Sequence, residues 1–177
     1  MSLLRTRVLL GLLMAGSMGS AAAAGPGYLG NLSGQSVSIG NSFAALSSIN
    51  DIYTFDILPV SSVAGTAVTI NLDVPLFEGE EFSISNFGVE FRDSANLLIA
   101  SDFQDSPTDY TVAISADLAA ATGYRFVVLG NVTGSMGGSY GGALAAAPIP
   151  EPRDWMLMLS GLGLVGLMVG RHKRRTY

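Results

Sequence analysis

The chain has 177 residues and no cysteine, which excludes disulfides, thiolate catalysis and cysteine metal sites, so any fold must rest on apolar packing. The formal net charge of −5 hides a division: residues 25–147 carry twelve acidic side chains and two basic ones, Arg92 and Arg125. So acidic a body repels nucleic acid and anionic lipid, and the one histidine, His172, lies outside it, excluding a Ser-His-Asp arrangement there.

Residues 1–24 have the layout of a secretory signal peptide. Arg5 and Arg7 precede the short apolar run Val8–Met14, and the segment closes on Ala21 to Ala24. Cleavage is expected after Ala24, with Ala22 as the small residue at −3. The body beyond it, residues 25–147, is long enough for one domain.

Within this body the dominant signal is alternation with period two. Val37 and Ile39 alternate with serines, and Tyr53, Phe55 and Ile57 share one strand face. Val68, Ile70, Leu72 and Val74 are expected to face the core together, with Thr69, Asn71 and Asp73 outward. Phe82 and Ile84 continue the pattern, but Phe87, Val89 and Phe91 fall on the opposite parity. That switch predicts a β-bulge or a turn near Ser85 and Asn86. Leu97–Ala100, Tyr110 with Val112 and Ile114, and Tyr124 with Phe126 and Val128 supply further strands. Gly65, Pro75, Gly79, Asp93, Pro107 and Gly123 punctuate the runs as turn formers. Asp117–Thr122, rich in alanine, is read as one helical turn at a corner. The glycine-rich stretch Gly130–Gly142 is read as a hairpin leading into a last strand near Tyr140–Leu144, followed by a linker, Ala145–Pro148. The expected fold is therefore all-β: an antiparallel β-sandwich, jelly-roll or immunoglobulin-like, of about seven or eight strands.

The last thirty residues differ in kind. Pro150, Glu151 and Pro152 form a rigid cluster, Trp155–Gly170 is an uncharged apolar run, and Arg171, Lys173, Arg174 and Arg175 make a basic end. As a helix the apolar run would span roughly 24 Å against a hydrocarbon core of about 30 Å. Arg171 reaching toward headgroups and Trp155 at the opposite interface would bridge the shortfall, so a membrane helix over 155–170 with a cytoplasmic basic end is expected.

This order of triplet, apolar helix and basic terminus resembles the PEP-CTERM sorting signal of Gram-negative bacteria. The resemblance implies a substrate of an exosortase-type membrane enzyme that recognises and processes the tail. Such a protein would be held transiently in the inner membrane, then released to the envelope or the exterior. In the body, Ile49, Asp51 and Tyr53 resemble the motif of the FxDxF-type subgroup, with Ile49 in place of the aromatic. Gly123–Gly130 and Gly137–Gly142 are similar to that subgroup as well. The resemblance implies no enzymatic activity and no cofactor, and it implies association with exopolysaccharide or biofilm matrix.

Read from the residues alone, Ile49, Asp51 and Tyr53 share a strand face, so an inward Asp51 would require hydrogen bonds from neighbouring backbone N–H groups. The simpler expectation is a structural aspartate fixing a turn before the strand. Three carboxylate groupings remain for acid/base work: Asp51 with Asp56, Glu78 with Glu80 and Glu81, and Asp102 with Asp105 and Asp109. A glycosidase needs two carboxyls roughly 5 to 9.5 Å apart across a cleft, which these spacings do not show. Asp102, Asp105 and Asp109 would suit a calcium loop chemically, although no Asp-x-Asp-x-Asp-Gly pattern is present. The functional expectation is an exported, non-catalytic envelope or matrix protein. The alternative is a carbohydrate-binding module stacking sugars on Tyr28, Tyr110 or Tyr140, with Tyr110 better explained as core.

Overall fold

A computed structural model of the chain describes residues 23–73, 80–106, 108–150 and 152–173. Within residues 73, 80, 152–154 and 167–173 only the backbone is described. Among the described residues, eleven strands and one helix come in order: β1 (Gly27–Asn31), β2 (Ser36–Phe43), β3 (Ser48–Ile57), β4 (Ser61–Ile70), β5 (Leu72–Asp73), β6 (Glu80–Phe82), β7 (Ile84–Arg92), β8 (Leu98–Phe103), β9 (Thr111–Leu118), β10 (Ala121–Val132), β11 (Gly138–Pro148) and α1 (Pro152–Lys173).

Two sheets face each other as a sandwich. One has the order β1-β3-β10-β7-β8, the other β2-β11-β4-β9, and β5 with β6 forms a small separate ribbon. Among the described strands all pairings are antiparallel except that of β1, which joins β3 in parallel. The parallel start comes from chain order, because β2 crosses to the second sheet and β3 returns to the first beside β1.

Inward-facing side chains of both sheets form one core, and aromatic rings dominate it. Phe91 and Phe126 have centroids 5.3 Å apart, Phe55 meets Phe91 edge-on at 6.2 Å, and Phe55 stacks with Tyr124 at 5.9 Å. Offset and edge-on pairs of this kind exploit the ring quadrupole beyond simple area burial. In β3 the expected alternation holds, with Ile49, Asp51, Tyr53, Phe55 and Ile57 all buried. In β10, Tyr124, Phe126 and Val128 face inward as their spacing predicts.

The expected parity switch is a β-bulge. Opposite β10, Leu129 pairs with Gly88 but Asn131 pairs with Ser85, so β7 carries one extra residue there. Asn86 adopts φ 50°, a left-handed conformation that asparagine tolerates better than branched residues.

Several expectations are corrected. In β4 the inward set is Ser61, Val63, Gly65, Ala67 and Thr69, so Val68 and Ile70 point outward, with an exposed Leu72 after them. Small residues are required inside because a Cβ at Gly65 would lie 2.6 Å from the Phe126 ring and 3.0 Å from Leu144. Leu97 to Ile99 lie exposed at the edge strand β8 and do not join the core. Tyr110 precedes β9 and is exposed, whereas Val112 and Ile114 are buried. Asp117 and Leu118 end β9, and β10 begins at Ala121, so a tight hairpin stands where a helical turn was expected. Finally, Ala145–Pro148 is no linker: it continues β11 and pairs with Ala64–Ser61. Val74, Pro75, Gly79 and Pro107 lie outside the described residues.

Candidate functional site

Three of the residues singled out in the sequence, Asp51, Tyr53 and Tyr140, meet inside the sandwich. Asp51 is the fourth residue of β3 and only 8% exposed, so it fixes no turn before the strand. Its Oδ2 accepts from the Asn41 amide of β2 at 2.9 Å and from the Tyr140 hydroxyl of β11 at 2.5 Å. The Tyr140 hydroxyl also lies 2.8 Å from that of Tyr53. Backbone N–H groups, the expected partners, are replaced by side chains from the opposing sheet. The reason is geometric: within a sheet the backbone N–H groups point along the sheet, while an inward side chain meets only what the facing sheet presents.

A buried carboxylate is tolerated when hydrogen bonds replace its water, and charge-assisted bonds do so best. Burial, and after it the hydrogen bond to Asp51, pushes the Tyr140 hydroxyl far above the ordinary tyrosine range. Burial likewise raises Tyr53, partly offset by its hydrogen bond to Tyr140. Both hydroxyls therefore stay protonated at neutral pH and serve as donors. Rings pack around the site: Phe43 stacks on Tyr140 at 6.2 Å and Phe87 lies 5.9 Å from it. With Tyr140 only 3% exposed, it offers no platform for a sugar, contrary to that expectation. Asp51 is held among core residues of the two sheets, and the cluster is a polar tie between them.

The other carboxylates have separate employment. Asp56, on the opposite parity of β3, accepts from Tyr28 Oη at 2.5 Å and from the Gly123 N–H at 2.9 Å. Asp51 and Asp56 thus serve different faces and form no acid/base pair. Asp102 accepts from the Ala113 N–H at 2.7 Å, tying edge strand β8 to β9 of the other sheet, and Asp109 accepts from Thr111 N–H. Among the described residues no group of three His or acidic side chains is arranged to hold a metal ion, so Asp102, Asp105 and Asp109 do not converge as calcium ligands. Glu78 lies outside the described residues, and Glu81 is buried. Glu90 pairs with Arg92 at 2.7 Å on the outer face of the first sheet.

Of the aromatic platforms, Tyr28 and Tyr110 are exposed. A polar cleft of about 330 Å³ opens where the β-bulge meets the loop after β8, lined by Ser83, Ser85, Asn86, Gln104, Asp105 and Thr133 among others. Sequence reading missed it because its donors come from three distant segments that only the fold assembles.

At the chain's end, Pro150 lies between β11 and α1, and Pro152 begins the helix, where its missing N–H costs nothing. Glu151, Arg174 and Arg175 lie outside the described residues, as do the side chains of Arg171 and Lys173. The helix has 22 residues against the sixteen expected from the apolar run. Among the described residues, no helix is long and apolar enough to cross a membrane. Trp155 is exposed, as is every described position of the helix through Gly166. Residues 1–22 of the expected signal peptide also lie outside the described residues, but Ala24 bonds to β2: its N–H donates to Ser38 at 2.8 Å and its carbonyl accepts from Gly40 at 3.1 Å.

No family model and no curated protein sequence matches the chain. Among solved structures it is similar to the pre-peptidase C-terminal domain of a collagenase from Bacillus anthracis. The identity is 10%, the TM-score 0.43, and the match covers 71% of this chain and 99% of that one.

Proposed function

We propose that the protein is an exported, non-catalytic component of the cell envelope or extracellular matrix, carried by a PEP-CTERM-like tail that an exosortase-type enzyme processes. The observation that carries the reading is the state of α1. Leu157, Leu162 and Leu164 are 73%, 70% and 63% exposed, and no described position from Trp155 to Gly166 is covered by the sandwich. A helix apolar all round is stable only when something buries it. We read a bilayer as that cover, although no described helix is long and apolar enough to cross one, because Arg171, Lys173, Arg174 and Arg175 follow the uncharged run 155–170 and favour a cytoplasmic, anionic surface. The non-catalytic part is supported by the carboxylates Asp51, Asp56, Asp102 and Asp109, each engaged by the fold. Association with exopolysaccharide and biofilm rests on the sequence resemblance alone.

The test is fractionation of tagged full-length protein in cells with and without the sorting enzyme. Wild type should pass from membrane to exterior only when the enzyme is present. Variants Pro150→Ala and Pro152→Ala should remain in the membrane. Unchanged processing of both variants would remove the sorting role.

A carbohydrate-binding body is the second reading, favoured by the cleft at Asn86 and Gln104, whose amides and hydroxyls suit a polyol. Titration of the purified protein with the host's own polysaccharide decides it, a flat response at high ligand removing the module.

A further inference from the structure

The position at which the tail leaves the sandwich constrains how the body sits on a membrane. The last residue of β11, Pro148, pairs with Ser61 at the start of β4, and the Ile149 N–H donates to the Val60 carbonyl at 3.0 Å. Only Ile149, Pro150 and Glu151 separate β11 from the first residue of α1. Fully extended, those links reach roughly 14 Å at about 3.5 Å per residue. A helix anchored in a bilayer therefore holds this end of the sandwich against the headgroups.

The register identifies which turns share that end. β3 ends at Ile57 opposite Ala121, β7 ends at Arg92 opposite Arg125, and β9 ends at Leu118 opposite Ser61. The β3–β4 turn at Leu58–Val60, the β7–β8 turn at Asp93–Leu97 and the β9–β10 hairpin thus lie together beside the tail. Exposed apolar side chains stand at this end beside the exposed Ser94 and Asn96: Leu58 is 52%, Val60 37%, Leu97 66% and Ile149 37% exposed. Both cations of the acidic body, Arg92 and Arg125, sit at this end, where each donates to Asn96 of the β7–β8 turn. Of the carboxylates nearby, Asp93 is engaged by the Leu97 N–H, Asp56 by Tyr28 and Gly123 and Glu90 by Arg92, while Asp117 near the end of β9 is exposed. Asp105 and Asp109 lie beyond the far end of β8.

We propose that this end of the sandwich is a membrane-contacting surface, on which Leu58, Val60, Leu97 and Ile149 dip into the interface while α1 anchors the chain. The inference rests on the anchoring reading above, and it adds an orientation: the polar cleft at Asn86 and Gln104 then faces away from the bilayer. Apolar tips flanked by arginines suit the interface, where aliphatic groups meet acyl chains and guanidinium groups meet phosphates.

Trp155 is the only tryptophan of the chain and reports on the helix directly. The full chain is reconstituted into vesicles of phosphatidylcholine brominated high on its acyl chains, and emission is compared with that in unbrominated vesicles. In a Trp155→Phe background, single tryptophans are placed by Leu58→Trp, by Leu97→Trp, and at the opposite end by Leu46→Trp. Trp155 and both near-end tryptophans should lose emission and shift to the blue, while the Leu46→Trp probe should do neither. Two near-end positions keep the test intact if one variant misfolds by circular dichroism. Unquenched near-end probes beside a quenched Trp155 would overturn the orientation and leave anchoring standing. An unquenched Trp155 would overturn anchoring itself and the orientation with it. Quenching at Leu46→Trp as strong as at Leu58→Trp would also overturn the orientation.

Discussion

The hydroxyl of Tyr140 donates to the carboxylate of Asp51 across the sandwich, joining residues 89 positions apart on opposing sheets. A polar bond in so apolar a setting stabilises by modest amounts when made and costs more when half of it is removed. That asymmetry makes the pair the most informative place to perturb the fold.

Tyr140→Phe removes a donor and leaves the carboxylate with Asn41 alone, so stability should fall by about 1–3 kcal/mol. Asp51→Asn keeps an acceptor in place and should cost less than Asp51→Ala. Urea denaturation of the single variants and of the double Tyr140→Phe/Asp51→Ala variant checks this. Strictly additive losses would show that the two side chains do not interact.

Alkaline pH should weaken the fold through the same cluster. Tyr53 and Tyr140 are raised in the folded state by burial. In the unfolded chain they ionise near the ordinary tyrosine value of about 10. Above that pH the unfolded state binds fewer protons than the folded one, so stability present below it declines as pH rises. Melting temperature measured from neutral pH upward should drop beyond about pH 10, and Tyr140→Phe should flatten the slope.

Gly65 faces the Phe126 ring at a distance no Cβ tolerates. Gly65→Ala should force the ring out of its packing and destabilise by about 1–3 kcal/mol. Adding Phe126→Leu should recover part of the loss, which paired denaturation curves would reveal.

Leu46 adopts φ 61° in the turn between β2 and β3 and is 90% exposed, so it carries backbone strain without packing in return. Leu46→Asn should raise stability by up to about 1 kcal/mol, since asparagine occupies the left-handed region at lower cost. A lower melting temperature would contradict this account.

Period-two alternation alone made the sandwich legible, because which side chains share a strand face is a property of the local backbone. That is why β3 and β10 have the inward sets their spacing predicts, and why the bulge at Asn86 showed as a parity switch. Alternation does not say which face turns inward when both carry apolar side chains. In β4 the choice fell on Val63, Gly65 and Ala67 over Val68 and Ile70, since the Phe126 ring of the facing sheet already fills the space. The same limit hid the role of Tyr140. Its surroundings read as a short last strand after a glycine-rich hairpin, but β11 runs from Gly138 to Pro148 as an interior strand between β2 and β4. Asp51 could be named from the sequence as a residue needing partners. Which partners it found, Asn41 and Tyr140, was decided only when the two sheets closed on each other.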